Sequence, residues 1–231
     1  MKTLGMIGGL GPESTVDYYR RLLTSFHSKR PDLGNPRIVF ASVDFHRMMA
    51  LVDRQDWQEM ASWLAGEFEL LAAAGADIGL ISANTPHIAF DSIRDQSPIP
   101  LISIVEATCD VAKEQALSRV GLLGTKTTMQ GTFFPKVFSR HGIELAVPNL
   151  TDQEYVHEKY FGELFKGVFL EETRQGLLRV AHRMIERDAV QGLILGGTEL
   201  PLILRDASEL GIPLLDTTEI HVQRAVEQML L

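Results

Sequence analysis

One pattern occurs twice in this chain, and it restricts the fold more than any other feature. Residues 75–87 read Gly-Ala-Asp-Ile-Gly-Leu-Ile-Ser-Ala-Asn-Thr-Pro-His, and residues 189–201 read Ala-Val-Gln-Gly-Leu-Ile-Leu-Gly-Gly-Thr-Glu-Leu-Pro. Each is an apolar run that stops at small residues followed by hydroxyl and amide groups. A helical stretch and a second apolar run follow each copy, Ser97 to Ser103 in the first case and Gly211 to Asp216 in the second. Apolar runs without period-two alternation, separated by helical periodicity, predict parallel strands covered on both faces.

The rest of the chain fits the same plan. A strand is predicted over Thr3 to Gly8, a glycine turn over Gly8 to Thr15, and a helix over Glu13 to Ser28. Strands over Arg37 to Val43, Ile78 to Ser82 and Leu101 to Ile104, with helices over Trp57 to Ala74, His87 to Asp95 and Glu106 to Ala116, complete a first round. Asp44 to Arg47 reads as a polar strand exit. At Arg119 the order restarts: strand and turn over Val120 to Thr128, helix over Met129 to His141, strand over Ile143 to Pro148. A long interrupted helix follows, starting at a capping-box pattern, Thr151-Asp-Gln-Glu154, and running to Glu186. The second copy of the repeated strand comes next, then a helix over Leu202 to Leu210, a strand over Pro213 to Leu215 and a helix over Thr218 to Leu230. Two rounds of four strands predict an α/β fold of two pseudo-symmetric domains, each a four-stranded parallel sheet flanked by helices. Ligands of such sheets bind beyond the carboxyl ends of the strands, so the expected site is a cleft between the halves.

Charge and cysteine content narrow the function classes. With 22 basic and 30 acidic side chains the net charge is −8, and no basic stripe offsets it, so nucleic acid is excluded as an expected partner. No apolar run reaches membrane-spanning length, and glycines break the apolar start before it could serve as a signal-peptide core, so no membrane contact is expected and the cytoplasm is the expected location. The single cysteine, Cys109, makes no intrachain disulfide and supplies one metal ligand at most; no metal site is expected. Read on its own, Gly9-Leu-Gly-Pro-Glu-Ser14 suggests a dinucleotide fingerprint. Serine stands where the third glycine belongs, and a proline interrupts the pattern.

Five segments in order, Gly8-Gly-Leu-Gly-Pro12, Ala83-Asn-Thr-Pro-His87, Gly121-Leu-Leu-Gly-Thr125, Leu195-Gly-Gly-Thr-Glu-Leu-Pro201 and Leu215-Asp-Thr-Thr218, resemble the aspartate/glutamate racemase superfamily over essentially the whole chain. The resemblance implies a small amino acid or dicarboxylate held between two α/β domains, with no pyridoxal phosphate, no other cofactor and no metal, in a homodimer. It also implies that the last strand and helix cross back to the first domain, giving domains of residues 1–99 plus 212–231 and residues 100–211. In the family pattern a cysteine precedes Asn-Thr in one segment and Thr-Glu in the other, and the two thiols exchange an α-proton from opposite faces. Those positions here are Ala83 and Gly197, which carry no proton and are expected to leave extra room.

The binding groups of that pattern remain: Gly9, Gly11, Asn84, Thr85, Thr125, Thr127 and Thr198 are expected around the carboxylate, as donors at turns and helix starts. Arg47 is a candidate carboxylate clamp. Lys166 falls near a basic position of the family pattern. Glu199 and His87, each beside a missing thiol, are the candidate catalytic acids or bases, and each also reads as an ordinary helix-start residue. Three functions follow: a racemase or isomerase with altered catalytic groups, a decarboxylase or lyase in the same cleft, or a carboxylate-binding protein without turnover.

Overall fold

The computed structural model describes residues 1–231. The chain divides into two compact units, Met1–Ile104 with His221–Leu231, and Val105–Ile220. No helix is long and apolar enough to cross a membrane.

The first unit holds β1 (Leu4–Gly8), α1 (Pro12–Lys29), β2 (Ile38–Ser42), α2 (Phe45–Asp53), α3 (Trp57–Ala73), β3 (Ile78–Ile81), a 3-10 turn (Thr85–Ala89), α4 (Phe90–Gln96) and β4 (Leu101–Ile102). The strands are parallel in the order β2-β1-β3-β4, with Leu4 level with both Ile38 and Ile78. Alternation along β1 and β3 divides the core into two layers. Ile7 and Ile81 pack with Leu64 and Phe68 of α3, Met48 and Leu51 of α2, and Ile93 of α4. Leu4, Met6, Ile78 and Leu80 pack with Tyr18, Leu22 and Phe26 of α1 and with Val222, Ala225, Val226 and Met229 of the last helix, α11 (Thr217–Leu230). Each fully buried side chain of this size contributes about 1.5–3 kcal/mol. Polar contacts add to the match between α1 and α11: Ser25 Oγ donates to Gln223 at 3.0 Å, and Lys29 pairs with Glu227 at 2.9 Å. The polar exit expected at Asp44 to Arg47 is a helix start, because the Asp44 carboxylate accepts the His46 N–H at 2.8 Å and caps α2.

The second unit continues with α5 (Ile104–Glu114), β5 (Arg119–Gly124), α6 (Lys126–Gln130), α7 (Phe133–Phe138), β6 (Glu144–Ala146), α8 (Leu150–Gly162), α9 (Glu171–Asp188), β7 (Leu193–Gly196), α10 (Leu200–Leu204) and β8 (Leu214–Asp216). Its sheet, β6-β5-β7-β8, has the same parallel order as the first. Val156 and Tyr160 of α8, Leu177 and Met184 of α9, and Leu200 and Leu204 of α10 pack with Leu193 and Leu195 of β7.

Two helix expectations need correction here. The helix expected over Met129 to His141 is two short helices separated at Gly131 and Thr132. The long helix is capped by Asn149 rather than Thr151: the Asn149 side-chain oxygen Oδ1 accepts the Asp152 N–H at 2.9 Å, so α8 begins before the predicted box. Asp152 in turn binds Arg183 of α9 through both carboxylate oxygens, at 2.9 and 2.5 Å.

The domain boundaries also move. β4 pairs with β3, Gly79 level with Leu101, so the first unit runs to Ile104 rather than residue 99. β8 pairs with β7, Leu193 level with Leu214, so the last strand stays in the second unit and only the chain from His221 onward returns to the first. The apolar stripe of α11 explains the return, since it completes the α1 side of the first sheet.

Candidate functional site

At the carboxyl end of β3 the backbone dominates. Ser82 donates its N–H and its hydroxyl to Ile7 O, at 2.9 and 3.0 Å, which fastens the strand end to β1. Ala83 follows, buried, with only a methyl group. Asn84 is also buried, and its carbonyl accepts the His87 N–H at 3.0 Å to open the 3-10 turn; Thr85 beside it is half-buried.

His87 is stitched to main chain on both sides of its ring. Ile104 N–H donates to Nε2 at 3.2 Å, and Nδ1 lies 3.0 Å from Ala83 O. A backbone N–H only donates and a carbonyl only accepts, so the bonding assigns the proton to Nδ1. The ring stacks on Phe90 at 4.6 Å, and burial, followed by the neighbouring His221, holds its pKa well below the ordinary imidazole value. His221 on α11 is built alike: Nε2–H donates to Ile102 O at 2.9 Å, and Nδ1 accepts from the Tyr18 hydroxyl at 3.0 Å. Burial lowers His221 to about 4. The two neutral imidazoles therefore fix Ile102 and Ile104, where β4 ends.

The other unit 1 candidates lie on separate turns. Gly9 has φ +83°, and a Cβ there would sit 2.5 Å from Val43 O, so this tight approach to the end of β2 requires glycine. Its N–H donates to Thr15 Oγ1 at 3.0 Å, and the same hydroxyl donates to Gly11 O at 2.9 Å. Arg47 is on α2, exposed, 3.6 Å from Glu59 and 4.5 Å above the Trp63 ring.

At the carboxyl end of β7 side chains dominate instead. Glu199 is 1% exposed. Its Oε2 accepts from the Thr198 hydroxyl at 3.0 Å and from the phenol of Tyr160, which reaches in from α8. Two hydroxyl donors on one oxygen offset part of the cost of burying a carboxylate. Burial, then the charge of Glu199 and the bond to it, push the Tyr160 phenol well above its ordinary range, so it keeps its proton and donates.

The extra room expected at Gly197 does not exist. A Cβ on Gly197 would lie 2.5 Å from Tyr160 Cε2 and 3.0 Å from both Cζ and the phenolic oxygen. Sequence reasoning missed Tyr160 because it lies 39 positions before its partner on a different element. The available signal was a glycine at a position where a side chain is expected, together with an aromatic on the inward face of α8.

Thr125 caps α6, its hydroxyl accepting the Thr128 N–H at 3.3 Å and lying 3.2 Å from Thr128 Oγ1. Thr127 is half-buried one residue before it. Lys126 N–H donates to His157 Nδ1 at 3.2 Å; burial, and then the Lys126 charge, lower His157. Lys166 is exposed at the end of a 3-10 turn, Leu164–Lys166. Cys109 is buried on α5, and burial, with Asp110 beside it, raises its thiol to about 11. Each unit thus gathers its own group, Ala83, Asn84, Thr85 and His87 in the first and Thr198, Glu199 and Tyr160 in the second.

Comparison with known proteins bears on the chemistry. Residues 7–225 match the Asp/Glu/Hydantoin racemase family. A crystal structure from Yersinia pestis, provisionally assigned as an Asp/Glu racemase, is 36% identical with a TM-score of 0.91, all of each chain being covered. An aspartate racemase homologue from Pyrococcus horikoshii OT3 is 30% identical with a TM-score of 0.87, again over the whole of both chains. The broad specificity amino-acid racemase RacX of Bacillus subtilis is 27% identical over 152 residues, 62% of this chain and 63% of RacX.

Proposed function

Because the chain belongs to the Asp/Glu/Hydantoin racemase family, we propose that it binds a small amino acid or dicarboxylate and performs PLP-independent carbon-acid chemistry with Glu199 as the proton-transfer group. The observation that carries this reading is the buried Glu199 carboxylate at the end of β7, held by two hydroxyls. A carboxyl group held at a strand end by two hydroxyls, at the cost of removing it from water, supports its use in the site. Beside Glu199 the backbone amides that follow β7 are the donors for a ligand carboxylate and for the enolate formed when the carbon loses its proton, the Thr198 hydroxyl being committed to Glu199.

Ala83 and His87 favour a second reading of the step itself. Ala83 has no proton to give, and both His87 nitrogens are bonded to main chain. One proton carrier suits a reaction that delivers a proton to a single face, such as decarboxylation or a lyase step, better than inversion through two bases.

The test is to incubate the protein in deuterated water with L- and D-aspartate, L- and D-glutamate, and a panel of dicarboxylates including substituted malonates, following the α-position by NMR. Exchange with inversion establishes racemisation, and exchange with retention or loss of carbon dioxide establishes one-face chemistry. No exchange across the panel, with ligand-induced thermal stabilisation, leaves a binding protein and removes Glu199 from catalysis.

A further inference from the structure

Gly197 and Tyr160 form a pair in space that neither residue's own segment explains. The ring of Tyr160 lies where the first side-chain atom of residue 197 would be, at 2.5 Å from Cε2. Its phenolic oxygen is 3.0 Å from that same point, and its proton goes to Glu199 two residues further along. A helix over the sheet has thus supplied, from α8, both the volume and the polar hydrogen that a side chain at 197 would have brought from β7.

We propose that Tyr160 is a positioning residue that substitutes for the absent side chain of residue 197: its ring closes that space, and its phenol, with Thr198, holds Glu199 ionised and in one orientation for proton transfer. The inference rests on the assignment of Glu199 as the proton-transfer group, but its consequences are readable without any substrate. The ring is buried among Val156, Leu164 and Leu177, which limits its freedom to swing away. The phenol keeps its proton, and a hydrogen bond donated to a carboxylate favours the ionised form. Removing the hydroxyl alone therefore favours the protonated acid while leaving the packing in place.

The experiment uses the intact protein labelled with ¹³C at the glutamate carboxyls, the Glu199 resonance being identified by its loss in Glu199→Gln. In Tyr160→Phe the Glu199 titration is expected to move up by about one pH unit relative to the unaltered protein. A curve that does not move, including one flat in both proteins, overturns the proposal, whereas a purely structural tyrosine would leave it in place. The space-filling half is tested by thermal unfolding. Gly197→Ala is expected to lower the melting temperature by about 5 °C or more in the unaltered protein and far less in Tyr160→Leu. Failure of Gly197→Ala to fold, with a folded Tyr160→Leu/Gly197→Ala double variant, also supports the exchange of volume. Equal losses in the two backgrounds overturn it. If the deuterium-exchange panel is silent but both of these results hold, the catalytic assignment fails while the pairing of Tyr160 with position 197 stands.

Discussion

The carboxyl ends of β3 and β7 occupy equivalent places in two sheets of identical strand order, yet they are made of different materials. After β3 come a methyl group and an imidazole whose two nitrogens both serve the backbone. After β7 come a position with no side chain, a buried acid and a phenol supplied by α8. The difference shows that pseudo-symmetry of the backbone places no demand on symmetry of the chemistry. Strand order and register follow from apolar runs and hydrogen-bond ladders, whereas the groups at a strand end depend on which helix leans over it.

The largest effect expected from breaking this asymmetry is on turnover. Glu199→Gln should lower the rate about 10²–10⁴-fold on whichever substrate the exchange panel identifies, with the melting temperature nearly kept. His87→Gln should instead reduce stability and leave the rate of the folded fraction within a few-fold. Steady-state kinetics beside thermal denaturation of the two variants decides, and equal rate losses would restore symmetry to the two ends.

Installing a thiol at each end comes next. Gly197→Cys should cost about 3 kcal/mol because the ring of Tyr160 has to move. Ala83→Cys adds a single sulfur to an existing Cβ and should cost about 1 kcal/mol. Urea unfolding of both variants measures the gap, and a Gly197→Cys protein as stable as Ala83→Cys would mean the ring yields easily.

Acid acts on unit 1 through its buried imidazoles. His221 is neutral in the folded unit 1 down to about pH 4, while in the unfolded chain it protonates near 6.5. Above 6.5 both states are neutral and the group contributes nothing. As pH falls from 6.5 to about 4 the unfolded state binds more protons, so stability declines by about 3 kcal/mol, then levels. His87, lowered in the same direction, adds to the decline. Trp57 and Trp63, the two tryptophans, both lie on α3 of unit 1, so tryptophan fluorescence during denaturation at stepped pH reports on that unit. His221→Gln should flatten the dependence; an unchanged slope would place the acid sensitivity elsewhere.

The smallest effect is expected at Arg47. Exposed and paired with Glu59 and Trp63, it should contribute less than about 1 kcal/mol to stability when changed to alanine. Titration calorimetry with the identified ligand completes the test. A tenfold or greater loss of affinity would establish Arg47 as the carboxylate clamp that the sequence suggested.

Much of the architecture was legible because parallel strands buried on both faces leave uninterrupted apolar runs, and both copies of the repeated strand lie where those runs predict. The short α2 was not, because Asp44, His46 and Arg47 read as a polar exit and the buried pair Met48 and Leu51 was overlooked. The capping of α8 was missed because Asn149 stands before the more conspicuous Thr151-Asp-Gln-Glu154. Glu199 was found as a residue, but its surroundings were not, since the hydroxyl that meets it comes from a distant helix. Gly197 was read as empty space for the same reason. A missing side chain leaves a local mark in a sequence, and its replacement from another element leaves none.

Cys109 bears on how such a protein behaves under oxidative stress. It is the sole sulfhydryl, it is buried on α5, and its elevated pKa leaves almost no thiolate at neutral pH. If turnover depends on the Glu199 carboxylate as proposed, it is expected to continue through peroxide exposure that would disable a pair of catalytic sulfurs, since the one thiol is sealed away.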